Sequence, residues 1–176
     1  MDIKGRNIAI IGGGESGVGA ALLGKKMGAN VFVSDAGALK EQYRKELLDA
    51  KIDFEESGHD FERIVASNYV IKSPGIPAQV PIFKELAHKK VPVLSEIEFA
   101  SNFTNAKKVC ITGSNGKTTT TMLVYHIFKN AGLNVAFAGN IGKSLARQVS
   151  LSEPDYFIIE LSSFQLDDLQ TFRADV

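Results

Sequence analysis

Three side chains stand out for chemistry in this sequence: Lys117, Thr118 and Glu160. The first two close the stretch Thr112-Gly113-Ser114-Asn115-Gly116-Lys117-Thr118-Thr119, and the glutamate ends the apolar run that starts at Tyr156. A glycine loop followed by Lys-Thr suits phosphate. Backbone N–H groups surround the anion, the ammonium supplies a point charge for β- and γ-phosphates, and the threonine hydroxyl can ligate Mg²⁺. Glu160, at the end of a strand beside such a loop, stands where Mg²⁺ is commonly held. The alternatives are a glycine turn with a surface lysine for the loop, and a helix N-cap cluster around Ser162 and Ser163 for the carboxylate region. The loop spacing is unusual, because Gly113 and Gly116 enclose two residues and Ile111 stands where a standard loop has its first glycine.

A second constellation lies near the start of the chain. Gly12-Gly13-Gly14-Glu15-Ser16-Gly17 fits G-x-G-x-x-G at Gly12, Gly14 and Gly17, and Asp35 ends the next apolar run, Asn30 to Ser34. Glycines there let the backbone approach a pyrophosphate, and the acid can accept hydrogen bonds from a hydroxyl or a base N–H. The alternative is a tight turn between strand and helix. Ser73-Pro74-Gly75 follows another apolar run, Tyr69 to Lys72, and reads either as a third loop over the same crevice or as a rigid turn.

These loops need elements to hold them. Apolar runs at Asn7 to Ile11, Asn30 to Asp35, Asp53 to Glu55 and Tyr69 to Lys72 predict strands, separated by helical patterns from Val18 to about Gly28, Leu39 to Ala50 and Pro81 to Lys90. Val91 to Leu94 predicts a last strand of this group. Beyond it, Ser95 to Ala106 bridges to Val109-Cys110-Ile111, the strand entering the Lys117 loop, and a helix follows to about Ala131. Asn134 to Ala138 predicts a strand, Gly139-Asn140-Ile141-Gly142 a turn, and the residues up to Leu151 a helix. Strand and helix alternate throughout, so the fold class is α/β: a Rossmann-like parallel sheet with helices, followed by a second α/β unit headed by the phosphate loop. Two glycine loops, each heading its own strand and helix, place a domain boundary near residue 93, giving units 1–93 and 94–176.

Composition narrows the function. Of 176 residues 44% are hydrophobic, enough for a real core, and 20 basic residues balance 20 acidic ones. With no basic field, nucleic acid is not indicated as a partner. No apolar stretch reaches the length of a membrane span, and Met1 to Arg6 leads into a strand pattern, so membrane insertion is not indicated and a cytoplasmic protein is expected. Cys110 is a single cysteine in a strand and reads as a small buried hydrophobe. His59, His88 and His126 read as surface residues.

Four stretches together resemble the Mur ligases, which build the peptide stem of peptidoglycan: Gly12 to Gly17, Ser73 to Gly75, Thr112 to Thr119 and Gly139 to Gly142. The shortened phosphate loop is that family's form. Within it, Glu160-Leu161-Ser162-Ser163-Phe164-Gln165-Leu166 is similar to the members that add D-glutamate. The resemblance implies ATP-dependent amide synthesis: the γ-phosphoryl group activates the terminal carboxylate of UDP-N-acetylmuramoyl-L-alanine as an acyl phosphate, which the D-glutamate amine attacks, releasing ADP and phosphate. It implies that ATP is held by Gly113, Ser114, Asn115, Gly116, Lys117, Thr118 and Thr119, and Mg²⁺ by Thr118 and Glu160, with Lys117 and Glu160 as the catalytic residues. The UDP-substrate would be held by Gly14, Glu15, Ser16, Gly17, Asp35, Ser73, Pro74 and Gly75, with Asn140 and Ser163 near the substrate and metal. Ala36-Gly37 depart from the polar residues that often follow the acid, which puts the uracil contact in question.

The family runs to three domains and acts as a monomer. The resemblance therefore implies that residues 94–176 are part of a P-loop ATPase α/β domain and that this chain is an N-terminal piece, expected to be unable to complete the reaction alone, with an apolar edge and face exposed after residue 94. Two rivals remain: a nicotinamide-dependent oxidoreductase built on Gly12 to Gly17, and a non-enzymatic nucleotide-binding module.

Overall fold

The computed structural model describes residues 1–77 and 79–176. Strands and helices alternate along the chain, and the strands pair in parallel in two separate sheets. The first contains β1 (Asn7–Ile11), β2 (Asn30–Ser34), β3 (Asp53–Glu55), β4 (Tyr69–Lys72) and β5 (Val93–Ser95), in the order β3-β2-β1-β4-β5. Its connections carry α1 (Glu15–Lys26), α2 (Glu41–Asp49), α3 (Phe61–Val65) and α4 (Pro81–His88). The second contains β6 (Lys107–Ile111), β7 (Val135–Gly139) and β8 (Tyr156–Glu160), in the order β6-β8-β7, with α5 (Glu96–Ser101) before it. Helices α6 (Lys117–Asn130), α7 (Leu145–Leu151) and α8 (Ser163–Asp167) complete the chain. The architecture is α/β with a Rossmann-like first sheet, as the alternating pattern predicts.

In the first sheet the strand order reverses beside β1, in the second β8 returns to lie next to β6, and ligands of such sheets collect beyond the carboxyl ends of the strands. The crevice of the first sheet therefore opens between the loops that follow β1 and β4. That of the second opens between the loops that follow β6 and β8. Fold topology alone thus brings Gly12 to Gly17 beside Ser73 to Gly75, and Gly113 to Lys117 beside Glu160.

Helix α1 joins the two sheets. Its sequence is rich in Gly and Ala, and Gly17, Val18, Gly19, Ala20, Ala21, Leu23 and Gly24 are all buried, so it has no broad solvent face. One side covers the first sheet and the other packs on α7. A Cβ on Gly19 would stand 2.2 Å from Ser144 Oγ, so only glycine permits this approach. The resulting core is continuous, with Ile8, Ile10 and Leu23 clustered with Leu145, Phe157 and Ile159.

A second tie comes from α5. Glu98 is buried and accepts hydrogen bonds from the backbone N–H groups of Gln170 (3.0 Å), Thr171 (3.0 Å) and Phe172 (3.1 Å), and from the Thr171 hydroxyl. Burial pushes its pKa up, but these donors, the Thr171 hydroxyl first among them, hold it below 4.5. The strap at 170–172 is thereby fastened through a carboxylate that stays ionised.

Local differences from the sequence reading have simple causes. Helix α1 starts at Glu15, not Val18, because Gly14 ends the extended segment and the glutamate fits the first turn of a helix. Strand β5 lies at Val93–Ser95 because Pro92 has no N–H for the ladder, and its carbonyl instead accepts from Val70 N (2.9 Å). Helices α3 and α5 are too short for a helical period to register. His59 is half-buried, 2.5 Å from Ser34 Oγ, rather than at the surface. The outer edge of β6 is met by the last residues: Asp175 N donates to Lys108 O and Cys110 N to Val176 O, both at 2.9 Å. On α6, Met122, Leu123 and Ile127 are exposed. Among the described residues no helix is long and apolar enough to cross a membrane.

Candidate functional site

Glu160 is the pivot of the second crevice. It is the last residue of the central strand, in register with Ile111 on one side and Gly139 on the other, so the loops after β6 and β7 flank it. Its side chain is 2% exposed. One carboxylate oxygen accepts from Thr118 Oγ1 at 2.8 Å and the other from Asn140 Nδ2 at 2.9 Å. Three residues expected to act together are thus in contact, although they lie in three separate segments of the sequence.

The loop after β6 is shaped to present donors. Gly116, with φ +76°, turns the chain into α6, whose first residue is Lys117. Thr120 N donates back to Gly116 O (2.9 Å), which leaves the earlier N–H groups at the start of the helix directed at the loop. Lys117 Nζ donates to Gly113 O at 2.8 Å, folding the side chain over the loop. A cavity of about 450 Å³ lies here, lined by Thr112, Gly113, Ser114, Lys117, Asn140 and residues 162–164.

The hydroxyl of Thr118 and the Glu160 carboxylate, which the Asn140 amide N–H holds in place, form an oxygen-donor pair that suits Mg²⁺, which takes one or two protein ligands and completes its shell with water and phosphate oxygens. Among the described residues no cluster of three or more His, Cys, Asp or Glu side chains could hold a metal by itself.

Ser162 and Ser163 divide their work. Ser162 caps α8: its hydroxyl accepts from Gln165 N (3.3 Å), while the Gln165 side chain accepts from Ser162 N (2.9 Å), a capping box. The N-cap reading of this stretch therefore holds for Ser162, alongside the carboxylate arrangement at Glu160. Ser163 is exposed and lines the cavity. Ser162→Ala is expected to cost about 1 kcal/mol of stability through the lost cap, measured by urea unfolding. A cost near zero would mean that α8 is held by packing alone.

In the first crevice, Gly12 to Gly17 wraps the end of β1. A Cβ on Gly17 would fall 1.8 Å from Gly12 O, so this position excludes any side chain. Ser73 Oγ donates to Gly12 O at 3.1 Å, bringing the loop after β4 against the glycine loop. Asp35 turns inward: its carboxylate accepts from Gly13 N at 2.6 Å and from Gly37 N at 2.8 Å. Glu15 also points away from the crevice, accepting from Ser144 N (3.1 Å) and Arg147 Nε (2.7 Å) of the α7 region. Pro74 and Gly75 line a second cavity of about 490 Å³ with Lys72, Ile76, Phe164 and Asp168. Gly14, Glu15 and Ser16 line neither of the two cavities.

The two cavities share Phe164, whose ring is 72% exposed between them. Sequence reasoning missed this residue as a site element, and it also missed Lys72, whose ammonium pairs with Asp168 at 2.6 Å and donates to Ile76 O at 3.0 Å. A lysine at a strand end carries no mark of such a partner. Arg147 was missed too, although a cation among Leu145, Ala146 and Val149 on a short helix was a readable signal.

Family models match two parts of the chain: the MurD N-terminal domain over residues 7–81 and the Mur ligase middle domain over residues 111–176. Among similar proteins, the UDP-N-acetylmuramoylalanine--D-glutamate ligase of Bacteroides fragilis is 56% identical over 172 residues, 97% of this chain. The enzyme of the same name from Bacteroides thetaiotaomicron is 58% identical over 172 residues, and that of Porphyromonas gingivalis 52% over 176. The chain spans about two-fifths of the length of these relatives, 38%, 38% and 39% respectively. Among solved structures, UDP-N-acetylmuramate:L-alanyl-gamma-D-glutamyl-meso-diaminopimelate ligase from Neisseria meningitides superposes with a TM-score of 0.61 at 23% identity, covering 89% of this chain and 52% of that one. UDP-N-acetylmuramate-alanine ligase from Thermotoga maritima gives 0.58 at 20% identity, covering 89% and 37%. At such identities the structural likeness speaks for the fold.

Proposed function

The chain belongs to the Mur ligase family, and from that premise we propose that it forms the UDP-substrate-holding and phosphate-holding part of a D-glutamate-adding ligase. The observation that carries this reading is the contact of Thr118 and Asn140 with the Glu160 carboxylate beside the Lys117 loop. In the proposed reaction ATP phosphorylates the terminal carboxylate of UDP-N-acetylmuramoyl-L-alanine, and D-glutamate attacks the acyl phosphate through its amine. A carboxylate does not react with an amine unaided, so the nucleotide's role is to convert one carboxylate oxygen into a leaving group.

Phosphoryl transfer of this kind depends mainly on positioning and charge neutralisation. Gly113 to Gly116 would hold the phosphates by backbone N–H groups, with Ser114, Asn115 and Thr119 around them. Lys117 would leave the Gly113 carbonyl for the β- and γ-phosphates. Thr118 and Glu160 would hold Mg²⁺, which when bound offsets phosphate charge. Asn140 keeps Glu160 oriented, and Ser163 faces the same cavity.

We assign residues 1–93 to the UDP-substrate and 94–176 to the nucleotide, with the seam in the β5 and α5 connection. Gly14 to Gly17 and Ser73 to Gly75 would take the UDP-sugar end. Asp35 would act chiefly by fixing the glycine loop, since both its oxygens already accept backbone N–H groups. A monomer in the cytoplasm, without nucleic-acid partners, completes the proposal.

The test is calorimetric titration of the chain with UDP-N-acetylmuramoyl-L-alanine, with MgATP, and with NAD as control. Heat of binding from the first two and none from NAD is the expected result. Binding of NAD alone would replace this reading with redox chemistry.

A further inference from the structure

Glu15 belongs by sequence to the glycine loop, yet one oxygen of its carboxylate, Oε1, is committed to the other half of the molecule. It accepts from Ser144 N, at the N-cap of α7, and from Arg147 Nε one turn later. Arg147 is 8% exposed and reaches in two directions, because its Nη1 donates to Glu46 of α2. One guanidinium therefore joins the first residue of α1, the middle of α2 and the start of α7. Gly19 lies at the same contact, where a Cβ would meet Ser144 Oγ and the Arg147 backbone.

This clasp stands four residues from the phosphate site. Ser144 follows the turn 139–142, and Asn140 in that turn holds Glu160, which in turn holds Thr118. Gly139 N donates to Lys143 O (3.1 Å) and Asn140 N to Glu160 O (2.9 Å), so the turn is braced at both ends. Hydrogen bonds thus lead from Glu15 through Arg147 to Ser144, the backbone of the turn runs from Ser144 to Asn140, and a hydrogen bond carries the path on to the carboxylate beside Lys117.

We propose that Arg147, clasped between Glu15 and Glu46, is a positioning residue that couples the two loops, so that a ligand on either one tightens binding on the other. This inference rests on the function proposed above. A ligand in the phosphate loop engages Glu160 and Thr118 and fixes Asn140, the turn behind it and Ser144. The clasp passes that order to the N-terminus of α1, so the second ligand meets a framework already in place. Coupling of this kind is reciprocal, and factors of roughly 5 to 150 are typical. About 10-fold is expected here.

The experiment titrates the chain with UDP-N-acetylmuramoyl-L-alanine with and without saturating MgATP, and then with MgATP with and without the UDP-sugar. The two orders must return the same factor. Arg147→Met keeps the apolar stem of the side chain and removes the guanidinium with its charge, leaving two partly exposed carboxylates free to be solvated. It is expected to reduce the factor to within about two-fold of unity while each ligand alone binds within about three-fold of the parent. Arg147→Lys, which cannot serve both acids with a fork, is expected to retain part of the coupling. Should Arg147→Met fail to fold by circular dichroism, Glu46→Gln decides, since it removes one arm of the clasp and touches no ligand residue; a reduced factor is expected. A merely structural role would lower the melting temperature and leave the factor intact, which would overturn the proposal. So would binding of both ligands to the parent chain without coupling, a result that leaves the ligase reading standing. If neither ligand binds, the ligase reading fails and this inference fails with it.

Discussion

Lys117→Met is expected to weaken MgATP binding by about 10- to 100-fold and to leave UDP-N-acetylmuramoyl-L-alanine binding within about two-fold. Hydrogen bonds to charged groups contribute roughly 1.5–3 kcal/mol, and each 1.4 kcal/mol is a factor of ten in affinity. Lys117 supplies the charge of the loop: the other groups at its mouth are backbone amides, hydroxyls and an amide side chain. Its ammonium rests on Gly113 O, so phosphate binding would exchange a neutral acceptor for an anionic one. Methionine matches the stem and removes only the charge and its donors. Calorimetry with both ligands reads the result directly, and an unchanged MgATP affinity would show that the loop backbone alone holds the phosphates.

Glu96→Gln is expected to stabilise the chain by about 3 kcal/mol at pH 8 and by almost nothing near pH 4.5. Glu96 is the first residue of α5 and is 1% exposed. One oxygen accepts from Ala146 N at 2.5 Å, and the other has no partner among the described residues. Burial raises its pKa, the Ala146 bond lowers it and the Glu15 charge raises it again, for a result of about 7 against an ordinary 4.5. Between these values the unfolded chain has released the proton that the folded chain keeps, so stability falls as pH rises from 4.5 to about 7 and is level above. Glutamine can accept the same N–H through its amide oxygen and carries no charge at any pH. Urea unfolding at pH 5, 6, 7 and 8 should show the gap between variant and parent opening across that window. Equal stability at pH 8 would mean that Glu96 is better solvated than its burial indicates.

The elements that present the ligand loops were legible because their signals are local. Glycines at 12, 14 and 17 and at 113 and 116 stand between an apolar run and a helical period, and both loops fall at strand-to-helix junctions as that pattern requires. The pairing of Thr118 and Asn140 with Glu160 was approachable through motif resemblance, and its cause lies in register: Glu160 is the residue level with Ile111 and Gly139 across three strands. The inward turn of Glu15 and Asp35 could not be read. An acid in a glycine loop has the same appearance in sequence whether it faces a ligand or a neighbouring helix. Lys72 and Glu96 were missed for a related reason, since Asp168 and Ala146, their partners, lie in distant segments of the chain, whereas Arg147 left a signal as a cation among apolar residues of a short helix but not the identity of its partners. Two short helices, α3 and α5, offered too few residues for a period to appear.

The burial of α1 on two sides bears on how the chain is made. Its partner across the clasp is 132 residues away in sequence, counting from Glu15 to Arg147. At synthesis rates of roughly 5–20 residues per second, that separation amounts to a delay of roughly 7–26 s on the ribosome. During that interval the first sheet can form, because β1 to β5 are complete by Ser95, but the flank of α1 around Gly19 waits uncovered for α7. The nascent protein thus carries a temporary sticky surface on its most central helix, and closing it is the last act of folding for the first half of the molecule.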